Sequence, residues 1–237
     1  MTARLLVATR LVVTVQWRAK FPQIYFVIAI FAVIVFRTLI PAELVPLALP
    51  AFLFGEPGSL GIMMVAAQRY MERGERSVVA LAVTPLTSGE YVSALIFGSA
   101  IVPTLATAVI HVGVLGVDLR VVLVIPPLYL IAVVSGGIGL MLSTVFTEFT
   151  RFILGTIPPI IVYSLPLLSF FGLAPFWAFK WIPSDSALVI FGMLARGQFD
   201  ALAYAGSLGL LSLFAALTWW AAIATYMARV RHAIEFA

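Results

Sequence analysis

The sequence contains no cysteine, only two histidines and few charged residues. The missing thiol excludes disulfides, thiolate metal sites and a cysteine nucleophile, and leaves the redox compartment open. Of the 237 residues, 10% are charged and 63% are hydrophobic, and the mean hydropathy is +1.14. A soluble domain needs charge on roughly a quarter to a third of its surface, which 14 basic and 10 acidic residues do not supply. The composition therefore predicts a protein whose solvent is the lipid bilayer.

The charge is net positive, +4, with a pI of about 9.7. The basic residues lie at the edges of apolar runs and form no patch with interleaved aromatic residues, so nucleic-acid binding is not indicated. The N-terminal stretch MTARLLVATRLVVTVQWRAK carries arginine throughout. It lacks the separate basic region, apolar core and cleavage site of a signal peptide, and we expect it to be retained.

Six apolar runs are long enough to cross a hydrocarbon core, which takes about 20 residues. They are residues 21–40, 44–67, 91–115, 121–146, 152–172 and 202–227. With the N-terminus inside, ten of the 14 basic residues fall on the inner side and four on the outer side. This asymmetry predicts that both termini are cytoplasmic. We therefore expect an all-α, multi-pass membrane protein with six transmembrane helices.

Charge is concentrated in one segment between the second and third spans, MERGERSVVALAVTPLTSGEY at residues 71–91. Glu72 and Arg76 are four residues apart with the acid first, which is the favourable order for a helical ion pair. The small apolar residues that follow supply a nonpolar side. The pattern predicts a short amphipathic helix on the cytoplasmic side, although composition alone fits an ordinary solvated connector equally well.

A helix break and a new helix start follow within the same segment. Pro85 disfavours helical backbone at Thr84, the residue before it. Thr87, with Glu90 three residues later, gives the capping-box pattern TSGE, which is typical of a helix N-terminus. We therefore expect the cytoplasmic helix to stop before Pro85 and the third span to begin directly after Thr87.

This segment resembles the loop between the second and third spans of type-2 ATP-binding-cassette exporter permeases, whose usual form is E-R-x-x-G-x-x-x-x-L-x-x-T-P-L-x-x-x-E-Y. The residues that carry the resemblance are Glu72, Arg73, Gly74, Glu75, Arg76, Val79, Leu81, Thr84, Pro85, Leu86, Glu90 and Tyr91. The chain departs from the pattern because its glycine comes early and Ser77 stands near the family's glycine position. Half-size permeases similar to fluoroquinolone-export subunits of actinobacteria share the TPL…EY loop and an aromatic, IP-containing external segment.

The resemblance implies that residues 1–237 form one transmembrane permease domain with a cytoplasmic coupling region at 68–90. In such exporters the loop holds a coupling helix that sits in a groove of a separate ATPase subunit. The residues implied to couple to that partner are Glu72, Arg73, Glu75, Arg76, Thr84, Pro85, Leu86 and Glu90. Because the chain has no phosphate-binding loop of the form G-x-x-x-x-G-K-[ST], ATP and Mg would be bound by the partner, and this chain would not be an enzyme.

The resemblance also implies the assembly and the direction of transport. A second permease chain, identical or paralogous, would complete the pore in a bacterial plasma membrane, and the substrate would be exported. The wide use of Phe, Leu, Val and Trp favours an amphiphilic, drug-like or lipid-like substrate over an inorganic ion. The main alternative is an ion- or proton-coupled secondary carrier that uses Glu56 as its proton site, but such a carrier needs no stiff charged loop at 71–91.

The first twenty residues are partly amphipathic. At 100° per residue, Arg4, Arg10 and Arg18 fall within an arc of about 120°, with Leu5 and Val12 on another side. We expect an interfacial helix along the inner leaflet, as the resemblance also implies, with the arginines towards anionic headgroups. A frayed tail is the alternative.

Glu56 is the most informative single residue, because LFGEPGSLG places a carboxylate inside an apolar span. A charge there costs a few kcal/mol on insertion scales. One hypothesis is that Glu56 lines the translocation path and meets a cationic or zwitterionic substrate. The alternative is that the second span begins only near Pro50, which places Glu56 close to the outer surface. In that case His111, near the outer end of the third span, lies at a similar depth to Glu56 and could pair with it. The alternative is that His111 is only hydrogen-bonded or hydrated.

Three further patterns concern packing and surfaces. Residues 173–201 predict an external helix that is capped by Ser184, after a proline, and ends at Gly197. The resemblance implies that this segment is a re-entrant hairpin covering the cavity. A helix that rests on the outer surface is the alternative.

SGGIGL, residues 135–140, has small residues four apart, which favours close helix packing over a dinucleotide motif. TEFTR, residues 147–151, is a second possible ATPase contact or an exposed turn pair.

Metal and enzyme chemistry are not indicated. The two histidines, His111 and His232, lie at opposite ends of the topology, and no Ser/His/Asp arrangement stands out. The sequence therefore predicts neither a metal site nor a catalytic residue.

Overall fold

A computed structural model describes residues 2–74, 86–174 and 176–235 of the chain, with side chains described from residue 4 to residue 229. The described residues are helical and contain no strand, which confirms the all-α prediction. A short 3-10 helix, Trp177–Trp181, precedes the eighth of the α-helices. The α-helices are α1 (Thr2–Arg18), α2 (Phe21–Thr38), α3 (Val45–Gly74), α4 (Ser88–Leu115), α5 (Arg120–Val145), α6 (Phe149–Ser164), α7 (Pro166–Phe170), α8 (Pro183–Arg196) and α9 (Ala201–Glu235).

Six helical segments in the described ranges are long and apolar enough to cross a membrane. They are Phe21–Thr38, Val45–Gly74, Ser88–Leu115, Arg120–Val145, Phe149–Phe170 and Ala201–Arg229. Each overlaps one predicted span, so the six-span prediction is confirmed. At 1.5 Å per residue α3 is about 45 Å long, against about 30 Å for a hydrocarbon core. Helix α3 therefore extends beyond the core of a bilayer, and we call the end of the bundle near Gly74 and Ser88 the loop end.

Helix α4 forms the centre of the bundle. In its most apolar stretch 78% of the residues are buried, against 22% in α2 and 17% in both α6–α7 and α9. The inward positions of α4 are occupied largely by alanine, serine, glycine and threonine, which allow neighbouring helices to approach closely. The peripheral helices α2, α6, α7 and α9 thus leave apolar sides for lipid or for another chain.

The closest helix contact joins α3 to α5. A Cβ atom at Gly139 would lie 2.5 Å from the carbonyl oxygen of Ile62, and one at Gly61 would lie 3.0 Å from the Cβ of Ser135. Ser135 and Ser143 are also buried on this face of α5. The four-residue repeat of small residues is therefore a packing motif, as the sequence predicts, because the two backbones meet without intervening side chains.

Helix α1 turns sharply into α2 and packs on α4. Lys20 makes the turn with φ of 63°, in the left-handed region. Val12 is 5% exposed, and it would lie 3.0 Å from a Cβ at Gly98 of α4. The described α1 is a packed helix and not a frayed tail. Its position along the inner leaflet stays a prediction.

Helix α8 forms within the segment predicted to hold an external helix, and its C-terminal stop is confirmed at Gly197, where φ is 71°. Its external position stays a prediction. The predicted cap is wrong. Ser184 lies inside the helix, because Pro183 takes the first helical position and Ile182 precedes it without a side-chain hydrogen bond. Proline suits that position because the first backbone amide needs no partner in the helix. Helix α8 packs against α3, α5 and α9, and its role as a re-entrant lid stays a prediction.

Candidate functional site

The last turns of α3 and the first turn of α4 meet through three polar side chains. Arg69 is 5% exposed; its Nη1 donates a hydrogen bond to the hydroxyl of Tyr91 at 3.0 Å and lies 3.6 Å from Oε2 of Glu72. The hydroxyl of Tyr91 in turn donates a hydrogen bond to the Glu72 carboxylate. Because an unpaired buried charge is strongly destabilising, Arg69 and Glu72 each require the other. The triangle ties the end of α3 to the start of α4.

Helix α9 joins this triangle through its own aromatic residues. The guanidinium carbon of Arg69 lies 5.1 Å from the ring centroid of Tyr226 and 5.7 Å from that of Tyr91, within the range of cation–π attraction. The two tyrosine rings are 5.5 Å apart. About two turns earlier on α9, Nε1 of Trp219 donates to Oγ of Ser93 at 2.9 Å. Helix α9 is thus fixed to α4 at two levels.

Helix α1 joins through Gln16, which is fully buried. Its Nε2 donates to Oε1 of Gln68 at 2.9 Å and to Oγ of Ser99 at 2.6 Å. Gln68 in turn donates from Nε2 to Oε1 of Glu72 at 3.1 Å. The polar network therefore runs without a break from α1 through α3 to α4 and α9. We call it the loop-end cluster, and its members are Gln16, Gln68, Arg69, Glu72, Tyr91, Ser99 and Tyr226.

The opposite face of the α3 end holds the end of α5. The hydroxyl of Tyr70 donates to the carbonyl oxygen of Phe146 at 2.7 Å, and Nη1 of Arg73 reaches the same oxygen at 3.4 Å. Phe146 is the residue at which α5 ends, so its carbonyl has no partner within the helix. A cation at a helix C-terminus is also favoured by the helix dipole. Arg73 therefore stabilises the turn that leads from α5 into α6.

The start of α4 is fixed by the predicted capping box, which is confirmed. The backbone amide of Glu90 donates to Oγ1 of Thr87 at 3.2 Å, and the amide of Thr87 donates to Oε2 of Glu90 at 2.9 Å. Glu90 is 7% exposed. Its carboxylate therefore has a structural role within the permease bundle, on the return side of the loop.

The residues predicted to couple to an ATPase fall into two groups. Glu75, Arg76, Thr84 and Pro85 lie outside the described residues, as do the predicted amphipathic helix and its break. The other four are Glu72, Arg73, Leu86 and Glu90, which stand on the two sides of residues 75–85. Leu86 is half-buried against the apolar cluster formed by α1, α3, α4, α5 and α9. Their part in coupling stays a prediction, and the structure adds the internal contacts that hold them.

The turn between α5 and α6 presents an exposed ion pair. Nε of Arg151 lies 2.9 Å from Oε2 of Glu148, and the side chains are 71% and 62% exposed. Such pairs contribute about 0–1 kcal/mol to stability.

A second candidate region surrounds Glu56 in the middle of α3. The helix begins at Val45, so Glu56 lies about 17 Å along its axis at 1.5 Å per residue. Glu56 is half-buried and within Coulombic reach of Tyr25 on α2. Its neighbours Gly55 and Ser59 line a cleft of about 190 Å³ between α3, α5 and α6. Glu56 stands beside this cleft, on the side of α3 that faces α2.

His111 does not pair with Glu56 in the structure. His111 is 1% exposed, and among the described residues neither of its ring nitrogens has a hydrogen-bond partner. Thr107, one helical turn earlier, is buried with the same lack of a partner for its hydroxyl. The charged groups within Coulombic reach of the imidazole are Asp118, in the turn after α4, and Arg120, at the start of α5. The pairing hypothesis rests on the similar depth of Glu56 and His111 along their helices. Similar depth alone does not place the two side chains in contact.

Comparison with known proteins identifies the family. The sequence model of the fluoroquinolones export permease protein family matches residues 3–234. The chain belongs to this family. The permease is 26% identical over 197 residues to the fluoroquinolones export permease proteins of two Mycobacterium tuberculosis strains, CDC 1551 / Oshkosh and ATCC 25618, covering 80% of this chain and 80% of each relative. It is accordingly a multi-pass membrane protein of an export system and a transport subunit.

The two glutamines of the loop-end cluster were not among the predicted site residues. Gln16 follows Val12 by four residues and therefore shares its helix face. A glutamine on the apolar face of α1, and Gln68 one residue before a buried arginine, are the local signals. Neither identifies its partner, because the Gln16–Gln68 and Gln16–Ser99 contacts join residues far apart in the chain.

Proposed function

We propose that the permease is the transmembrane subunit of an ATP-driven exporter and that residues 75–85 dock on a separate ATPase subunit. The observation that carries the proposal is the bond between Glu72 and Tyr91, reinforced by Arg69, which closes the base of this segment. When the two ends of a loop are bonded to each other, a displacement of the loop by a partner is transmitted to both helices that it joins. Without that bond, the displacement would be taken up by a change in the loop alone. Family membership supports the export function.

The contacts of the loop-end cluster supply a route for such a push. Displacement of residues 75–85 moves the ends of α3 and α4 together, because Tyr91 and Glu72 are bonded across the segment. Tyr70 and Arg73 carry the movement to the end of α5 through the Phe146 carbonyl. Tyr226 carries it to α9. In this proposal one loop drives four helices as a unit, as alternation between two arrangements of the bundle requires.

The ATPase partner would supply all of the nucleotide chemistry. It would bind ATP and Mg, and closure of its nucleotide site would supply the push. The role of the permease residues is to receive this movement and transmit it. The proposal places both termini and residues 75–85 in the cytoplasm of a bacterial cell, in accord with the excess of basic residues on that side.

The substrate proposed for the permease is an amphiphilic, drug-like molecule. The named relatives are fluoroquinolones export permeases, and the cleft beside Glu56 combines apolar walls with the polar groups of Ser59, Ser135 and Tyr163. A second permease chain would enclose the path, since α6–α7 has only 17% of its apolar stretch buried. Glu56 would then attract a cationic or zwitterionic substrate beside the cleft.

The deciding experiment is co-purification from the native membrane in a gentle detergent. The tagged permease is compared with a variant in which Thr84, Pro85 and Leu86 are all glycine. We expect a phosphate-loop ATPase to accompany the normal chain and to be lost from the variant. Gly206→Ala, which adds a methyl group in open space on α9, changes neither turn and should retain the ATPase. Retention of the ATPase by the triple glycine variant would contradict the docking assignment.

A proton-coupled carrier is the second candidate function, because Glu56 has no ion-pair partner in the part of the chain that the structure describes. Reconstitution of the purified permease alone distinguishes the two functions. Substrate uptake driven by a pH gradient, and lost in Glu56→Gln, would support the carrier. Uptake that requires the ATPase and ATP would exclude it.

A further inference from the structure

A second cavity, separate from the cleft beside Glu56, opens at the loop end of the bundle. It has a volume of about 580 Å³ and lies between α1, α4 and α9. Volumes of roughly 300–1,000 Å³ are typical of sites that enclose a small molecule. We call it the α1/α4/α9 cleft, and its walls include Leu5, Gly89, Glu90, Phe97, Trp219 and Ile223.

The deep part of the α1/α4/α9 cleft is apolar and held in shape. The indole of Trp219 is fixed by its hydrogen bond to Ser93, and its ring centroid lies 5.8 Å from that of Phe97. Ile223 lies one helical turn beyond Trp219 on the same face of α9. A wall of aromatic and aliphatic side chains is complementary to the hydrocarbon tail of a lipid. Because these side chains are already fixed, the tail binds without a rearrangement of the protein, which lowers the free-energy cost of binding.

The wall of the cleft carries a carboxylate. Glu90 lines the cleft, and the capping box holds its carboxylate in position. Arg4 of α1 is not part of the wall but lies within Coulombic reach of this carboxylate. An apolar chamber with an acid in its wall and a basic side chain nearby is complementary to an amphiphile whose headgroup carries both charges.

We propose that the α1/α4/α9 cleft binds one phospholipid with an amine-bearing, zwitterionic headgroup. Its ammonium group lies at Glu90, its phosphate at Arg4, and one acyl chain fills the space between Phe97 and Trp219. The bilayer leaflet around the loop end supplies this lipid. The bound lipid joins α1 to α9 beside the point where the chain returns from residues 75–85. The proposal stands on the cavity and its charges and is independent of the ATPase assignment.

Gly89 provides a way to fill the cleft without disturbing its walls. A Cβ at Gly89 meets no atom within 4 Å, so Gly89→Phe places an aromatic ring in the lipid's space. Gly206→Phe is the matched control, since Gly206 also has open space around its Cβ and lies on α9 away from the cleft. Both variants add the same side chain to a membrane helix.

The test is native mass spectrometry of the purified full chain with phosphatidylethanolamine or phosphatidylglycerol added in equal amounts. We expect one phosphatidylethanolamine on the normal chain and on Gly206→Phe, and at least about a tenfold lower occupancy on Gly89→Phe, because the ring excludes the acyl chain. Equal occupancy on the two phenylalanine variants would overturn the site. So would a normal chain that retains no lipid, or a Gly89→Phe chain that loses transport while keeping its lipid.

Glu90→Gln tests the headgroup. Glutamine serves in a capping box as glutamate does, so the start of α4 is kept while the charge is removed. We expect the preference for phosphatidylethanolamine over phosphatidylglycerol to fall about fivefold, as for the loss of one charge-assisted hydrogen bond. An unchanged preference would overturn the headgroup assignment. If Gly89→Phe melts well below the normal chain, Ile223→Trp narrows the cleft from α9 and should give the same loss of lipid.

Discussion

The hydroxyl of Tyr91 on α4 donates a hydrogen bond to the carboxylate of Glu72 on α3, across the base of residues 75–85. Arg69 donates a hydrogen bond to Tyr91 and forms an ion pair with Glu72, so the acid, the base and the phenol contact one another in a buried site. The bond between Tyr91 and Glu72 joins two helices where the chain leaves the bundle and returns to it. The stability of the bundle and the rigidity of the loop base therefore depend on the same few atoms.

Tyr91→Phe tests the loop base. The substitution keeps the ring and removes the hydroxyl, which leaves Glu72 and Arg69 each short of one partner; we expect a loss of about 1–3 kcal/mol. Thermal unfolding in detergent measures the loss. Tyr129→Phe is the matched control, because its hydroxyl bonds a single backbone carbonyl, that of Phe97 at 3.2 Å. A loss no greater than that of the control would show that the triangle is not a stabilising unit.

The same substitution should uncouple transport from ATP use. With the ATPase present, we expect Tyr91→Phe to bind its partner normally and to export less substrate per ATP hydrolysed, because the two ends of the loop then move independently. Adding Glu72→Gln should cost less than the sum of the single effects, since both changes break one network. Additive losses would separate Glu72 from Tyr91 functionally.

Gln16→Ala tests the attachment of α1. Removal of the amide leaves Gln68 and Ser99 without their shared partner, and we expect α1 to separate more readily from α4. Because the natural chain has no cysteine, a thiol introduced as Val12→Cys reports this event alone. Its labelling should be slow in the parent and at least about tenfold faster with Gln16→Ala. Thr14→Ala, which removes only a bond within α1, should leave the labelling rate unchanged.

Gly139→Ala tests the contact between α3 and α5. The added Cβ would meet backbone atoms of Ile62, at 2.5 Å from the oxygen and 2.9 Å from Cα, and backbone does not move aside as a flexible side chain does. We expect a loss of about 1–3 kcal/mol in stability. Gly206→Ala adds the same methyl group in open space and should have little effect. Similar melting temperatures for the two variants would contradict the close approach of these helices.

Lys20 tests the turn between α1 and α2. Its φ of 63° is unfavourable for a residue with a Cβ. Lys20→Gly and Lys20→Ala remove the same charge, and only glycine relieves the backbone. We expect the glycine variant to be about 1 kcal/mol more stable than the alanine variant by thermal unfolding. The reverse order would mean that the turn does not adopt the left-handed conformation.

Local patterns predicted the helices, because span length, the TSGE pattern and the glycine at 197 act within a few residues of the chain. The small-residue repeat on α5 also predicted a packing face correctly. Partners across helices were harder. The Glu56–His111 hypothesis used depth alone, whereas each residue along a helix also turns by 100° about its axis. Ser184 failed as a cap because the helix begins two positions earlier than predicted, with Pro183 as its first residue and Ile182 before it.

The contacts that join α3 to α4 at the loop base lie within the permease bundle, because Arg69 and Tyr91 both contact Glu72. If residues 75–85 dock on an ATPase, as proposed, partner choice would be encoded in a short stretch of sequence that is separate from the lipid-embedded scaffold. Grafting this stretch between permeases would then redirect one transporter to the ATPase of another.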